Sequence, residues 1–467
     1  MNITFHGAAR HVTGSKHLVQ LNNGTSILLD CGMFQGMGEH TEDMNEHFGF
    51  NPKKVSHLVL SHAHIDHCGL IPRLVAEGFS GPIYCTPPTL DLAKILLLDS
   101  AKIQEQDTSF SNKHRAKKGL PLLEILYTEE NVTQALSQFK TVEYHEEFSI
   151  TPDVKLYFSD AGHVVGSAVT HLTITEDGKD THITFSGDVG RYGDMILKSP
   201  QNFRQSDYIL MESTYGDSLH KDIGPIEDAL LEIIQDTCIT RKGKVIIPAF
   251  SVGRTQEILF ALNALEQKGV LPDVPYFVDS PLSTKATQVL KDHPEVFNRN
   301  VNEVLKTDAD PFDFKNLRFV ESTEESIALN TDPRACVIIS SSGMAEAGRV
   351  KHHIRNNIND SKNTILMVGY CEPNSLGGHL LNGDKQVYIF GEMHEVVAKV
   401  QSIKSMSAHG DYEDLLQFLS GQDTDKVSKV FLVHGEYEVQ QHFAEKLKEK
   451  GFDRVEIPFQ HQKVELQ

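Results

Sequence analysis

The chain contains no run of about 18 apolar residues, so no membrane-spanning helix is expected. Cysteine is sparse and scattered. The six residues Cys31, Cys68, Cys85, Cys238, Cys336 and Cys371 form no C-x-x-C pair. A disulfide framework is therefore not expected, and a reducing cytoplasm is the default compartment. Cys68 follows His67 directly, and reads as a small buried residue behind that histidine rather than as a ligand. Met1–Phe5 lacks a basic region leading into an apolar one and reads as a first strand, not a signal segment. Net positive charge is missing too: the formal charge is −20 over 467 residues. That argues against broad nucleic-acid binding through a basic surface, but not against a local basic cleft or bound metal ions. There is no internal repeat and no low-complexity segment.

Histidine, by contrast, is plentiful at 24 residues, several of them in spacings that metals require. Apolar content of 39% and charged content of 23% are ordinary for a globular protein. The length suggests about two or three domains. The first 30 residues read as hairpins, Asn2–His6, Lys16–Leu21 and Thr25–Leu29, with Asn22-Asn23-Gly24 as a turn. Val55–Leu60 is a short strand that runs into the densest histidine cluster. Ile83–Cys85 reads as a strand, and Thr89–Gln106 as a helix with Leu92, Ile95, Leu96 and Ile103 on one face. Lys113–Gly119 is the one concentrated basic segment. It reads as a solvated loop or as a phosphate-contacting flank of a substrate groove. Val154–Phe158, His171–Thr175 and Thr181–Phe185 continue a pattern of strands with outer helices, as in an αββα sandwich.

From about residue 213 the texture changes to short, fully apolar strands such as Val245–Ile247, Tyr276–Val278, Val337–Ile339 and Thr364–Val368. Helices such as Gly253–Lys268 separate them, which suggests a buried parallel sheet. The division expected is therefore 1–212 for a first domain, 213–395 for an inserted α/β domain, and 396–467 for a return to the first. The return would include Val430–Val433 and a helix Val439–Lys450.

His62, His64, Asp66 and His67 place four metal-competent side chains within six positions after a β-run. Residues two apart share a face of an extended strand end, so His62 and His64 can bind one ion while Asp66 and His67 turn toward a second. Imidazole and carboxylate are the usual ligands of hydrolytic zinc. Two ions need more donors. His163, Asp188 and His434 each sit beyond an apolar strand and beside glycine, where a ligand can project. Each alone could equally be a satisfied loop residue. Asp30, after Ile27-Leu28-Leu29, fits a role orienting the histidine loop better than direct ligation.

The ordered set Asp30, His62–His67, His163 and Asp188 resembles the metallo-β-lactamase superfamily. Glu212-Ser213-Thr214-Tyr215-Gly216, Ser407-Ala408-His409 and Val433-His434-Gly435-Glu436 resemble the three extra motifs of its β-CASP branch, which processes nucleic acids. The likeness spans nearly the whole chain. It is to ribonucleases similar to the endonuclease subunit of the eukaryotic pre-mRNA 3′-end cleavage complex and to their bacterial and archaeal relatives. The resemblance implies an α/β protein in which a metallo-β-lactamase sandwich carries a β-CASP domain with a parallel sheet. It assigns His62, His64 and His163 to one Zn2+ ion and Asp66, His67 and His434 to another, with Asp188 shared. Mn2+ or iron accepts the same donors. It also gives Glu212 the task of orienting His409, which would protonate the departing 3′-oxygen. By the same resemblance, histidine at position 434 favours RNA over DNA. Gly369–Gly378 departs from the family pattern, lacking its usual arginine.

The implied activity is hydrolysis of RNA phosphodiesters within the chain, with a 5′ exonuclease activity open. The RNA would lie in a cleft between the two domains, with no membrane partner and with a homodimer as an option. Ser341, Ser342 and Gly343 can offer N–H groups to a phosphate or form an ordinary strand-to-helix turn. Arg254 and Arg349, each after a glycine, can reach phosphates or make ordinary ion pairs. Two other readings compete. A small-molecule hydrolase of the same superfamily would not need the inserted domain, Glu212 or His409. A non-catalytic RNA-binding subunit would typically have lost metal ligands, and none is lost here.

Overall fold

Alternating burial organises the first part of the chain. Along Tyr208–Glu212, Tyr208 and Leu210 enter one core while Ile209 and Met211 enter another, and Phe431 and Val433 alternate likewise with Val430 and Leu432. A strand buried on both faces in this way must lie in an inner layer, with a sheet on one side and helices on the other. The structure, a computed structural model, describes residues 1–36, 40–220, 225–369, 371–403 and 407–466.

By internal contacts the chain divides into two units, Met1–Leu219 with His409–Gln467, and His220–Ala408. The first unit holds two seven-stranded sheets. One runs in the order Gln462–Glu465, Asn2–Gly7, Lys16–Gln20, Ser26–Leu29, His57–Val59, Ile83–Cys85, Phe139–Thr141. The other runs Val455–Glu456, Lys429–Val433, Tyr208–Glu212, Lys179–Phe185, Ala168–Glu176, Val154–Asp160, Glu147–Thr151. Their facing sides share one core that includes Phe5, Val19, Leu29 and Val59 from the first sheet and Phe158, Phe185, Leu210 and Phe431 from the second. The outer side of the second sheet is covered by Leu415 and Phe418 of helix Tyr412–Leu419 and by Phe443 and Leu447 of helix Tyr437–Glu449. This is an αββα sandwich.

The second unit is built on a six-stranded sheet whose neighbours all pair in parallel, ordered Leu317–Phe319, Tyr276–Val278, Val337–Ser340, Val245–Pro248, Thr364–Val368, Lys399–Ile403. The central strands are apolar throughout because helices cover both faces of such a sheet. This unit extends past residue 395, because Lys399–Ile403 pairs with Thr364–Val368 as an edge strand. Residues 213–219, in turn, stay with the first unit.

The helix expected over 89–106 is a 31-residue helix, Pro87–Lys117. The basic segment 113–117 is therefore its last turn rather than a loop. All six cysteines are buried and unpaired, and Cys68 Sγ donates to Ala63 O at 3.1 Å behind the histidine loop. Tyr370, inside the Gly369–Gly378 run, lies outside the described residues. Among the described residues no helix is long and apolar enough to cross a membrane.

Candidate metal centre

Six strand ends converge on one place in the first unit. Ser26–Leu29 leads to Asp30, His57–Val59 to His62, Val154–Asp160 to His163, Lys179–Phe185 to Asp188, and Lys429–Val433 to His434, while Tyr208–Glu212 ends on Glu212 itself. After His64 the chain makes a single helical turn, Ile65–Cys68, which brings Asp66 and His67 to the same point. The backbone around Asp30 clasps that turn: Cys31 N donates to His67 O at 2.8 Å and Ser15 N to Asp66 O at 2.8 Å. The approach is so close that only glycine fits at position 32, where a Cβ would lie 1.6 Å from Asp66 O.

The donor atoms of His62, His64, His163 and Asp188 lie within 4.8 Å of one another, and so do those of Asp66, His67 and His434. His64 Nδ1 is 3.1 Å from both His62 Nε2 and His163 Nε2. Tetrahedral Zn–N bonds of about 2.0–2.1 Å place ligand nitrogens roughly 3.3 Å apart, so this spacing suits one ion. His67 Nε2 and His434 Nε2 are 3.1 Å apart, and Asp66 Oδ2 is 3.4 Å from the latter. Asp188 faces both groups. Its Oδ2 is 3.5 Å from His62 Nε2 and His163 Nε2, and its Oδ1 is 3.2 Å from His67 Nε2 and 3.5 Å from His434 Nε2. That Oδ1 is buried and makes no aligned hydrogen bond. A buried carboxylate oxygen of this kind is what a cation would satisfy.

The outer nitrogens of the histidines fix which tautomer each adopts. A neutral imidazole has one donor and one acceptor. Asp30, fully buried, accepts from His67 Nδ1 at 2.6 Å, from Ser61 N at 2.8 Å and from Ser61 Oγ at 2.9 Å. The Ser61 hydroxyl proton is thereby used, so Ser61 Oγ must accept from His62 Nδ1–H at 3.1 Å. Thr214 Oγ1 donates to His434 O and therefore accepts from His434 Nδ1–H at 3.1 Å. In His62, His67 and His434 alike, the Nε2 lone pair is left aimed inward. The Nε2 of neutral His62 faces the first donor group and those of neutral His67 and His434 face the second, beside carboxylate oxygens, an arrangement that suits divalent cations.

The charges agree. Burial, joined by the neighbouring His67, holds His62 well below the ordinary imidazole range, and burial also lowers His64, so both are neutral donors. Burial would raise Asp188, but His434, His67 and His62 outweigh it and hold the carboxyl well below its usual range. Asp66 is brought down to about 2 against the same burial effect by His67 and His434. His67 goes the other way: burial opposes its protonation, and Asp188, Asp66 and Asp30 overcome that and raise it well above the ordinary value. The carboxylates thus call for positive charge where the second group converges.

Beside this centre, Glu212 Oε1 lies 3.1 Å from His409 Nδ1 and accepts from Val189 N at 2.8 Å, while Oε2 accepts from Thr214 N at 3.0 Å. His409 Nε2 is 3.9 Å from Asp188 Oδ2. Burial acts to lower His409, but the carboxylates of Glu212 and Asp188 outweigh it and raise its pKa to about 9.

Three family descriptions match along the chain: the metallo-beta-lactamase superfamily over residues 14–236, the Beta-Casp domain over 255–380, and a Zn-dependent metallo-hydrolase RNA specificity domain over 393–458. The chain is 35% identical over 440 residues to a ribonuclease of Thermus thermophilus, spanning 94% of each protein. It is 32% identical to an RNase J-like protein of Methanocaldococcus jannaschii, over 93% of this chain and 92% of that one. It is 31% identical to a transcription termination factor of Methanosarcina mazei, over 93% of this chain and 67% of that protein. This chain belongs to the β-CASP branch of the metallo-β-lactamase superfamily.

In this β-CASP protein the residues considered for phosphate contact all lie in the second unit, and their side chains are engaged internally. Arg349 Nη1 pairs with buried Asp279 at 2.7 Å and Nη2 donates to Glu321 O at 2.6 Å. Arg254 is 6% exposed and pairs with Glu257. Ser341 Oγ lies among Ser251, Ser280 and Ser283 hydroxyls at 2.7–3.2 Å. Ser342 Oγ accepts from Ala347 N at 3.3 Å, and Gly343 packs under the Phe250 ring. For the arginines the ordinary ion pair is the structural role. Two contributors to the centre were not singled out in the sequence, Ser61 and Thr214. The available signal was position: a hydroxyl immediately before His62, and one inside the Glu212–Gly216 motif.

Proposed function

We propose that this protein is a zinc-dependent ribonuclease that hydrolyses phosphodiester bonds within RNA. The observation that carries this is the pair of inward-facing donor groups joined by Asp188, with the Glu212–His409 pair beside them. His62, His64 and His163 would hold one ion, Asp66, His67 and His434 the other, and Asp188 would serve both; Mn2+ fits the same donors. Bound there, the ions supply a water of lowered pKa and positive charge for the phosphoryl oxygens.

The chain's own residues do the rest. Asp30, Ser61 and Thr214 engage Nδ1 of His67, His62 and His434, so that each ring in its neutral form offers Nε2 as the ligand. Glu212 holds the His409 ring by Nδ1 and favours its charged form, so that Nε2–H is presented toward the reacting phosphate. His409 then gives that proton to the departing 3′-oxygen, leaving a 3′-hydroxyl and a 5′-phosphate. Ribonuclease relatives of near-equal length support RNA as the substrate. A 5′ exonuclease activity is compatible with the same centre.

The test uses purified protein of measured zinc content on 5′-labelled and internally labelled RNA and DNA, with and without chelator. RNA should be cut internally and DNA spared, and chelator should stop the reaction. His409→Ala should keep its zinc and lose most cleavage; full activity in that variant would remove His409 from the mechanism.

A further inference from the structure

The long helix Pro87–Lys117 starts against the metal centre and leaves it. Its first turn is tied to the His163 loop, with Thr86 Oγ1 and Thr89 Oγ1 each 2.7 Å from Gly166 O. At 1.5 Å per residue its 31 residues run about 46 Å. As far as Ala101 it is packed into the unit through Leu92, Leu96 and Leu97. Beyond Ala101 no residue of the helix is buried. The projecting part is nevertheless braced. Asn112 holds both backbone groups of Leu123, at 3.0 and 2.8 Å, and Arg115 Nε donates to Pro121 O at 2.6 Å, so the segment after the helix folds back along it.

The side of this arm away from the brace has an unusual composition for a chain of net charge −20. At 100° per residue, Lys102, Gln106, Lys113 and Lys117 fall on one stripe, Ile103 and Phe110 border it, and Lys118 follows at the tip. Glu105 and Asp107 point to either side of the stripe. Among the described residues Lys113, Lys117 and Lys118 have no carboxylate partner. Phe110 is 70% exposed, and its ring stacks on His114 at 6.0 Å and 27°. An aromatic ring held open among unpaired cations is a poor core element. It matches what a single-stranded nucleic acid offers, a row of phosphates with bases that stack.

We propose that this arm is a second RNA contact, about 40 Å along the helix from the metal centre. Lys113, Lys117 and Lys118 take phosphates and Phe110 takes a base. The proposal rests on the ribonuclease reading and adds to it a grip on RNA remote from the cut. Against a net charge of −20, a local cluster of cations of this kind offsets the repulsion of a polyanion.

The experiment measures binding and cleavage separately. Fluorescence anisotropy of the full chain, in chelator so that nothing is cut, is read with labelled RNA of about 30 nucleotides and of about six, the latter too short to span both places. The charge-reversed variant Lys113→Glu/Lys117→Glu/Lys118→Glu should bind the long RNA at least about tenfold more weakly, with a salt slope lower by about two to three. Phe110→Ala should weaken the long RNA about tenfold and leave the salt slope alone. Both variants should cleave the short RNA with metal present at the rate of the unchanged protein, which also shows that they fold. Unchanged long-RNA affinity in both variants overturns the proposal. So does a loss of self-association by light scattering, or of binding to anionic vesicles, with RNA affinity intact. If the unchanged protein cuts no RNA at all, the ribonuclease reading fails instead, and the binding result in chelator still decides the arm.

Discussion

Asp30→Asn replaces one buried carboxylate oxygen by an amide nitrogen, and every hydrogen-bond partner of that carboxylate approaches it as a donor. Oδ1 accepts from Ser61 N at 2.8 Å; Oδ2 accepts from His67 Nδ1 at 2.6 Å, from Ser61 Oγ at 2.9 Å and from Ser15 Oγ at 3.3 Å. If the amide nitrogen takes the Oδ1 place, a buried backbone N–H loses its acceptor, at a cost of about 1–3 kcal/mol. If it takes the Oδ2 place, His67 must adopt the other tautomer, and its Nε2 then carries a proton where a metal should bind. Either way metal affinity should fall by about 10–100-fold. Apo stability falls in both cases, in the first through the stranded backbone N–H and in the second through the buried Ser61 and Ser15 hydroxyls, which lose their acceptor. Competition with a chromophoric chelator reads the affinity, and urea unfolding in EDTA reads the apo stability. An Asn variant that binds zinc within twofold of the unchanged protein would refute the idea that Asp30 sets the His67 tautomer.

Three further outcomes follow from the same geometry. Gly32→Ala places a Cβ 1.6 Å from Asp66 O, so the Ile65–Cys68 turn must shift; the variant should lose about 1–3 kcal/mol of stability and much of its bound metal, seen by thermal unfolding and metal analysis. Glu212→Gln should lower kcat for RNA by about two orders of magnitude with KM little changed. It should leave hydrolysis of bis(p-nitrophenyl) phosphate almost intact, because that leaving group needs no proton; equal losses on both substrates would make Glu212 merely structural. Asp279, fully buried in the second unit, accepts from His353 Nε2 at 2.6 Å and Arg349 Nη1 at 2.7 Å. Burial would raise its pKa, but these bonds and that from Ser326 outweigh it and lower it. Its stabilising contribution is therefore complete above the unfolded value of about 3.9 and is lost as pH falls through the lower folded value. Asp279→Asn should be less stable at neutral pH and show a flatter loss of stability in acid, by urea unfolding between about pH 2 and 6.

The parts of the molecule visible in its sequence are those where chemistry and periodicity coincide. His62–His67 is dense enough to be recognised, and the fully apolar strands of the second unit announce a sheet covered on both faces. The parts that were not visible depend on distant partners or on edges. Lys399–Ile403 reads Lys-Val-Gln-Ser-Ile, without a continuous apolar run, because an edge strand is covered on fewer sides. Helix Pro87–Lys117 loses its apolar stripe where it leaves the body, so periodicity could not follow it past Gln106. Arg349 resembled a phosphate ligand because Asp279, seventy positions earlier, is adjacent to it only in the fold. Ser61 and Thr214 act through single hydroxyl protons, and no spacing rule reports those.

The central claim is that two ions in one donor constellation cut RNA. It is tested most directly by adding zinc stepwise to metal-free protein while following both bound zinc and the cleavage rate of an internally labelled RNA. Zinc should bind to about two per chain, and cleavage should rise only as the second equivalent binds. Full cleavage with one ion, or intact RNA with two ions bound, would contradict it.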